Sequence, residues 1–137
     1  MAVGEASVSL QCLRDSRGML VVAQSGEQVP FPIRRMFFLR DVAPGSERGY
    51  HAHRACHELL VVPSGAVTIE LDNAMRRSRH RLMDPDQALH VPPMTWIVLR
   101  EFEAGTVCIV LASEHYDPAD YIRDYQEFVA AVRGIRR

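Results

Sequence analysis

The sequence predicts an all-β domain finished by a single C-terminal helix, and three observations carry that reading. Between Ser7 and Ser113 the chain breaks into ten short runs rich in Val, Ile, Leu and Phe. Gly, Pro, Asp and Asn punctuate those runs, as they do in a β-sandwich or barrel. After Tyr121 the apolar period lengthens to that of a helix. With 137 residues and 15.5 kDa, the chain suits one hydrophobic core and one domain spanning residues 1–137.

The expected strands cover residues 8–13, 19–23, 35–42, 50–53, 58–62, 66–71, 79–83, 88–91, 96–102 and 106–112. Pro63, Ser64 and Gly65 supply a hairpin turn between two of them. Past Tyr121, the residues Ile122, Tyr125, Phe128, Val129 and Val132 form an amphipathic stripe. Asp117 and Pro118 open the helix as cap and first residue, Asp120 favours the positive end of its dipole, and Arg133 with Gly134 closes it. Such a stripe needs a cover, so the helix lies on a sheet or on a partner subunit.

Charge excludes several classes. Sixteen basic residues, all arginine, meet seventeen acidic ones for a net charge of −1. The densest cations, Arg76, Arg77, Arg79 and Arg81, sit in one short run, which argues against nucleic-acid binding. Cys12, Cys56 and Cys108 are odd in number and lack CxxC spacing, and no early apolar run follows a basic start. Apolar stretches such as residues 107–112 fall far short of the roughly 20 that span a bilayer. These features predict a cytoplasmic protein with neither membrane nor nucleic-acid partner.

The stretch RGYHAHRACHELLVVPSG, residues 48–65, carries the chemistry. Strand alternation puts His51 and His53 on one face and Tyr50 and Ala52 on the other. Gly45, His51, His53, Glu58 and Gly65 reproduce the first cupin motif at all five positions. That resemblance implies a small jelly-roll β-barrel with both histidines and the glutamate facing its cavity. Aligned on Pro92, the second cupin motif is mostly missing: its other positions hold Asp86, Met94, Ile97 and Glu101, which removes a fourth metal ligand. His51, His53 and Glu58 still offer a facial set for iron or a similar ion. The alternative is acid/base work by the histidines, whose ordinary pKa of about 6.5 suits proton transfer near neutrality.

A longer resemblance favours the second. DSRGMLVVAQSGEQVPFPIRRMFFLRDV, ERGYHAHRACHELL, ALHVPPMTWIVLREF and LASEHYDPADYIRDYQEF resemble the dTDP-4-keto-6-deoxyhexose 3,4-ketoisomerases, cupins of deoxysugar biosynthesis. The resemblance implies movement of a ketone from C4 to C3 without metal or redox cofactor, in a homodimer that exchanges N-terminal strands. A C4 ketone acidifies the C3 hydrogen, so a base can remove it and leave an enediolate that is protonated at C4.

By this resemblance His51 is the leading acid/base and His53 its partner. Arg34, Arg35, Arg48 and Arg54 are candidates to hold the diphosphate, and Glu58, Phe37 and Trp96 to line the sugar pocket. Phe37 replaces a tyrosine assigned to proton transfer in that family, and Glu58 replaces a glutamine. A carboxylate beside two imidazoles raises their pKa or favours a metal.

Trp96, Tyr116, Tyr121 and Tyr125 also have a core reading, and His57, His80, His90 and His115 are expected in surface or core roles. Cys56 is expected to pack. The competing functions are a metal-dependent cupin enzyme and a nucleotide-sugar-binding cupin without catalysis.

Overall fold

In the computed structural model, which describes residues 6–134, the apolar runs form strands, several of them with only one face covered. The strands are β1 (Ala6–Ser9), β2 (Gln11–Asp15), β3 (Gly18–Val22), β4 (Arg35–Arg40), β5 (Arg48–His53), β6 (Glu58–Ser64), β7 (Val67–Asp72), β8 (Arg77–Leu82), β9 (Gln87–Val91), β10 (Trp96–Arg100), β11 (Val107–Ala112) and β12 (Tyr121–Ile122). The helix is α1 (Tyr125–Arg133). The ends of the expected 1–137 domain, residues 1–5 and 135–137, lie outside the described residues.

Two five-stranded sheets form a jelly-roll sandwich, in the orders β1-β9-β6-β11-β4 and β12-β5-β10-β7-β8, and they do not close into the expected barrel. All pairings are antiparallel. Between the sheets lies the main core, including Leu60, Val62, Ile69, Leu71, Leu89, Ile97 and Val110. Leu10, Val29, Phe31, Leu59 and Val61 cover the outside of the first sheet. Helix α1 lies on the outside of the second, where Phe128 packs fully buried with Ala52, Trp96, Val98 and Ile122. Burying a phenylalanine contributes about 1.5–3 kcal/mol. The helix therefore finds its cover within its own chain.

The strand expected over 8–13 is two strands. Leu10 is buried at the break, its amide donates to the Asp86 carbonyl at 2.8 Å, and β2 leaves the sandwich to pair with β3 as a separate hairpin. At the other end, Asp117 caps only a 3₁₀ turn, Pro118–Asp120. Tyr121 and Ile122 then pair with His53 and Ala52, so their backbone groups join a ladder instead of a helix. Asp124 becomes the cap of α1, accepting from the Glu127 amide at 2.9 Å, while Gly134 ends it at φ 69° as expected.

One irregularity positions the site. Along β5, His51 is opposite Ile97 but Gly49 is opposite Val98, so Tyr50 is an extra residue in a β-bulge. Tyr50 adopts φ 60° and Gly49 φ 98°. A side-chain carbon on Gly49 would come within 2.6 Å of the Ile97 carbonyl oxygen, so only glycine fits.

Candidate active site

The alternation expected of β5 holds beyond the bulge. Ala52 turns outward under the helix, whereas His51 and His53 turn inward with ring centroids 5.1 Å apart and nearly perpendicular planes. Two further residues reach the pair from the C-terminal segment. Asp120, ending the 3₁₀ turn, accepts from His53 Nδ1 at 2.9 Å and from the Ala55 amide at 2.7 Å. Tyr121, opposite His53 in the ladder, places its ring 4.4 Å from His53 and 5.0 Å from His51.

The two imidazoles have different electrostatic tasks. His51 Nδ1 donates to the Gly49 carbonyl at 3.1 Å; because a carbonyl only accepts, the neutral ring keeps its lone pair on Nε2. Burial, together with the neighbouring His53, lowers the His51 pKa below 6.5. His53 is almost wholly buried, which alone would lower its pKa, yet Glu58 and Asp120 outweigh burial and raise it above 6.5. Glu58 pulls the His51 pKa upward too, but burial and His53 outweigh it there, so the expected net rise is found at His53 alone. Glu58 Oε2 stands 3.4 Å from His53 Nε2, an ion-pair distance, and that buried nitrogen has no hydrogen-bond partner. A proton there faces the Glu58 carboxylate, and the positive charge it gives the ring is what an incoming oxyanion would meet.

Arg35 and Phe37 come to this side of the first sheet. The Arg35 guanidinium lies 5.3 Å from the Phe37 ring and 5.7 Å from the Tyr116 ring and reaches the Tyr121 hydroxyl. Its buried Nε has no partner. Arg48 is exposed, and the bulge sets it opposite Leu99 of the inter-sheet core, on the histidine side of β5.

Three other candidates are placed elsewhere. Arg34 bonds the Ser113 carbonyl at 3.1 Å and lies 3.6 Å from Glu114, while Arg54 lies 3.4 Å from Glu127 of the helix. Trp96 stands on the outer face of its sheet against Tyr125 and Phe128, with the sheet between it and the histidines. Its neighbour Ile97 takes the inward position.

The cupin fold raises the question of a metal. Among the described residues, the metal-competent cluster whose ligand atoms lie within 4.8 Å of one another is His53, Cys56 and Asp120, not His51, His53 and Glu58. Asp120 already spends both oxygens on His53 and the Ala55 amide. The position that would supply a further ligand is the apolar Ile97. The donor set does not fit a facial metal site, and no step below runs through one.

Sequence reasoning assigned Asp120 to a helix dipole and Tyr121 to the core. Both lie in the D-P-A-D-Y-I-R block that contributed to the family resemblance, and that block was the available signal.

A jelly roll with paired inward histidines whose pKa values are pushed in opposite directions has the architecture of a cupin enzyme. The chain belongs to the FdtA, WxcM-like C-terminal family, whose model matches residues 5–133. It is 34% identical over 121 residues, 88% of this chain and 87% of the relative, to the TDP-4-oxo-6-deoxy-α-D-glucose-3,4-oxoisomerase of Aneurinibacillus thermoaerophilus. The sugar 3,4-ketoisomerase QdtA of Thermoanaerobacterium thermosaccharolyticum, in complex with TDP, superposes with a TM-score of 0.94 at 31% identity, covering 98% of each chain. A histidine-to-asparagine mutant of QdtA in complex with TDP-4-keto-6-deoxyglucose gives 0.94 at 30% identity, covering 98% of this chain and 97% of that one.

Proposed function

We propose that this protein is a TDP-4-keto-6-deoxyhexose 3,4-ketoisomerase that works by histidine acid/base chemistry. The observation that carries the reading is the division of labour between two adjacent imidazoles. Burial favours the neutral form of His51, whose Nε2 carries the lone pair, while Glu58 and Asp120 favour the charged form of His53. Neutral His51 removes the C3 proton, and His53 stabilises the oxyanion that forms at O4.

Arg35, with its unpartnered Nε, and Arg48, exposed on the same side of β5, are the arginines suited to the diphosphate. Guanidinium groups match such oxygens in bidentate geometry. Phe37 and Glu58 line the hexose position. Arg34, Arg54 and Trp96 are left out, since their contacts lie away from the histidines.

We further propose a homodimer in the cytoplasm. The hairpin residues Leu13 and Leu20 are 51% and 59% exposed, and Met36 and Phe38 on the edge strand β4 are 56% and 54% exposed, an apolar surface that a second copy would cover. A sedimentation mass of two chains at micromolar concentration is expected, and a mass of one chain would remove the dimer.

The function is tested by incubating the protein with TDP-4-keto-6-deoxyglucose in heavy water and following the sugar by NMR. The 3-keto isomer should form, with deuterium entering at a carbon of the transfer. TDP binding without isomer would leave a binding protein. Turnover that tracks bound metal stoichiometrically would restore the metal-dependent alternative.

A further inference from the structure

We propose that the Tyr121 hydroxyl is the acid that protonates C4 and so replaces the hydroxyl that Phe37 lacks; this rests on the ketoisomerase reading. Phe37 faces the site with no exchangeable proton. Among the described residues, Tyr121 is the hydroxyl-bearing side chain whose ring packs against both His51 and His53, at 5.0 and 4.4 Å.

Every other candidate acid nearby is committed. Asp120 and Glu58 flank His53, and the Cys56 thiol donates to the His57 carbonyl at 3.3 Å. The Tyr116 ring is 5.8 Å beyond Tyr121 and is mostly exposed.

Tyr121 is held for the task from three sides. Its backbone is fixed in the ladder opposite His53, the Arg123 guanidinium lies 4.4 Å from its ring, and Arg35 reaches its hydroxyl. Burial raises its pKa above the usual 10, so the phenol stays protonated, while Arg35 favours the phenolate that a proton donor becomes.

The proton account closes without an external reagent. His51 Nε2 takes the C3 proton, the C3–H pair becomes the C3–C4 double bond, and the carbonyl pair moves onto O4 beside His53. The C3 hydroxyl proton passes to O4, and its oxygen forms the new carbonyl at C3. The double-bond pair takes a proton from Tyr121 at C4. The Tyr121 phenolate recovers a proton from the His51 imidazolium, and both groups return to their starting forms.

The test compares Tyr121→Phe with wild type in heavy water, reading two processes in the same NMR tube. Formation of the 3-keto isomer should fall about 10²- to 10⁴-fold, the usual range for a general acid. Exchange of the C3 hydrogen of unreacted substrate for deuterium should stay within about threefold of wild type, because His51 is untouched. A loss of packing would slow both alike, so parallel losses overturn the proposal. Adding Phe37→Tyr to Tyr121→Phe should restore part of the isomerisation by returning a hydroxyl from the facing strand.

Isomerisation by Tyr121→Phe within about threefold of wild type would overturn the Tyr121 assignment alone. Wild-type protein that forms no isomer would overturn the ketoisomerase reading and this assignment together.

Discussion

Among the described residues, two pairs of neighbouring histidines differ in their geometry and in the acids around them. His51 and His53 meet edge to face at 5.1 Å inside the sandwich. His57 and His90 stack at 5.3 Å with planes 9° apart, on the outer side of the first sheet against Phe31. In the second pair His57 Nδ1 and His90 Nε2 share one hydrogen bond of 3.0 Å. Burial and the neighbouring His57 lower the His90 pKa, and no carboxylate contributes to that shift. In the first pair, two carboxylates on one ring reverse the effect of burial there and leave it in force on the other. Proximity of imidazoles alone does not separate two rings; asymmetric placement of acids pushes their pKa values in opposite directions.

The largest expected effect separates the pairs outright. His51→Asn should reduce isomerisation by about 10²- to 10⁴-fold with TDP affinity nearly unchanged, whereas His90→Asn should leave the rate within about twofold of wild type. Steady-state rates together with titration calorimetry of TDP check both. A comparable loss from His90→Asn would end the distinction.

The next effect is on pH dependence. The proposed mechanism uses neutral His51 and protonated His53, so kcat/KM should fall in acid through the lowered pKa of His51 and in alkali through the raised pKa of His53. The plateau therefore brackets pH 6.5. Asp120→Asn removes one of the two carboxylates on His53 and should move the alkaline limb down by about one pH unit or more. A limb that stays in place would mean that Glu58 alone sets the charge of His53.

The smallest effect is on stability. His90 has a folded pKa below its unfolded value, so the unfolded chain binds more protons and stability declines as pH falls from above 6.5 through the lowered pKa. His53 has the opposite sign: its contribution is full below about 6.5 and is lost as pH rises through the raised pKa. Denaturant midpoints at pH 5 and pH 8 should show His90→Asn losing less on acidification than wild type. An unchanged difference would show that the outer pair carries no acid sensitivity.

Much of this was legible in the sequence. Period-two alternation placed His51 and His53 on one face, and motif spacing brought Glu58 to them, because those relations are local to one or two strands. The partners from residues 120 and 121 were not legible from periodicity. Ile122, Tyr125 and Phe128 share the buried face under one helical stripe, but Ile122 reaches it from a two-residue strand beside β5. Only that long-range pairing reveals that Asp120 and Tyr121 face the histidines. Trp96 was misplaced for a related reason: following a Pro-Pro turn does not tell which side of a strand faces inward, and Ile97 takes that side.

The bulge at Gly49 and Tyr50 makes the composition of the site a matter of parity. Counting by twos along an unbroken strand would put Arg48 on the side opposite His51. One supernumerary residue brings it round to the histidine side, opposite Leu99, and sends Tyr50 outward. Drawing Tyr50 into the ladder as an ordinary paired residue would restore strict alternation along the whole of β5. Either the histidines would trade places with Ala52 or Arg48 would leave their face. The stretch at Gly49 and Tyr50 thus acts as a phase shift: it decides which side chains share the histidines' face without standing on that face itself.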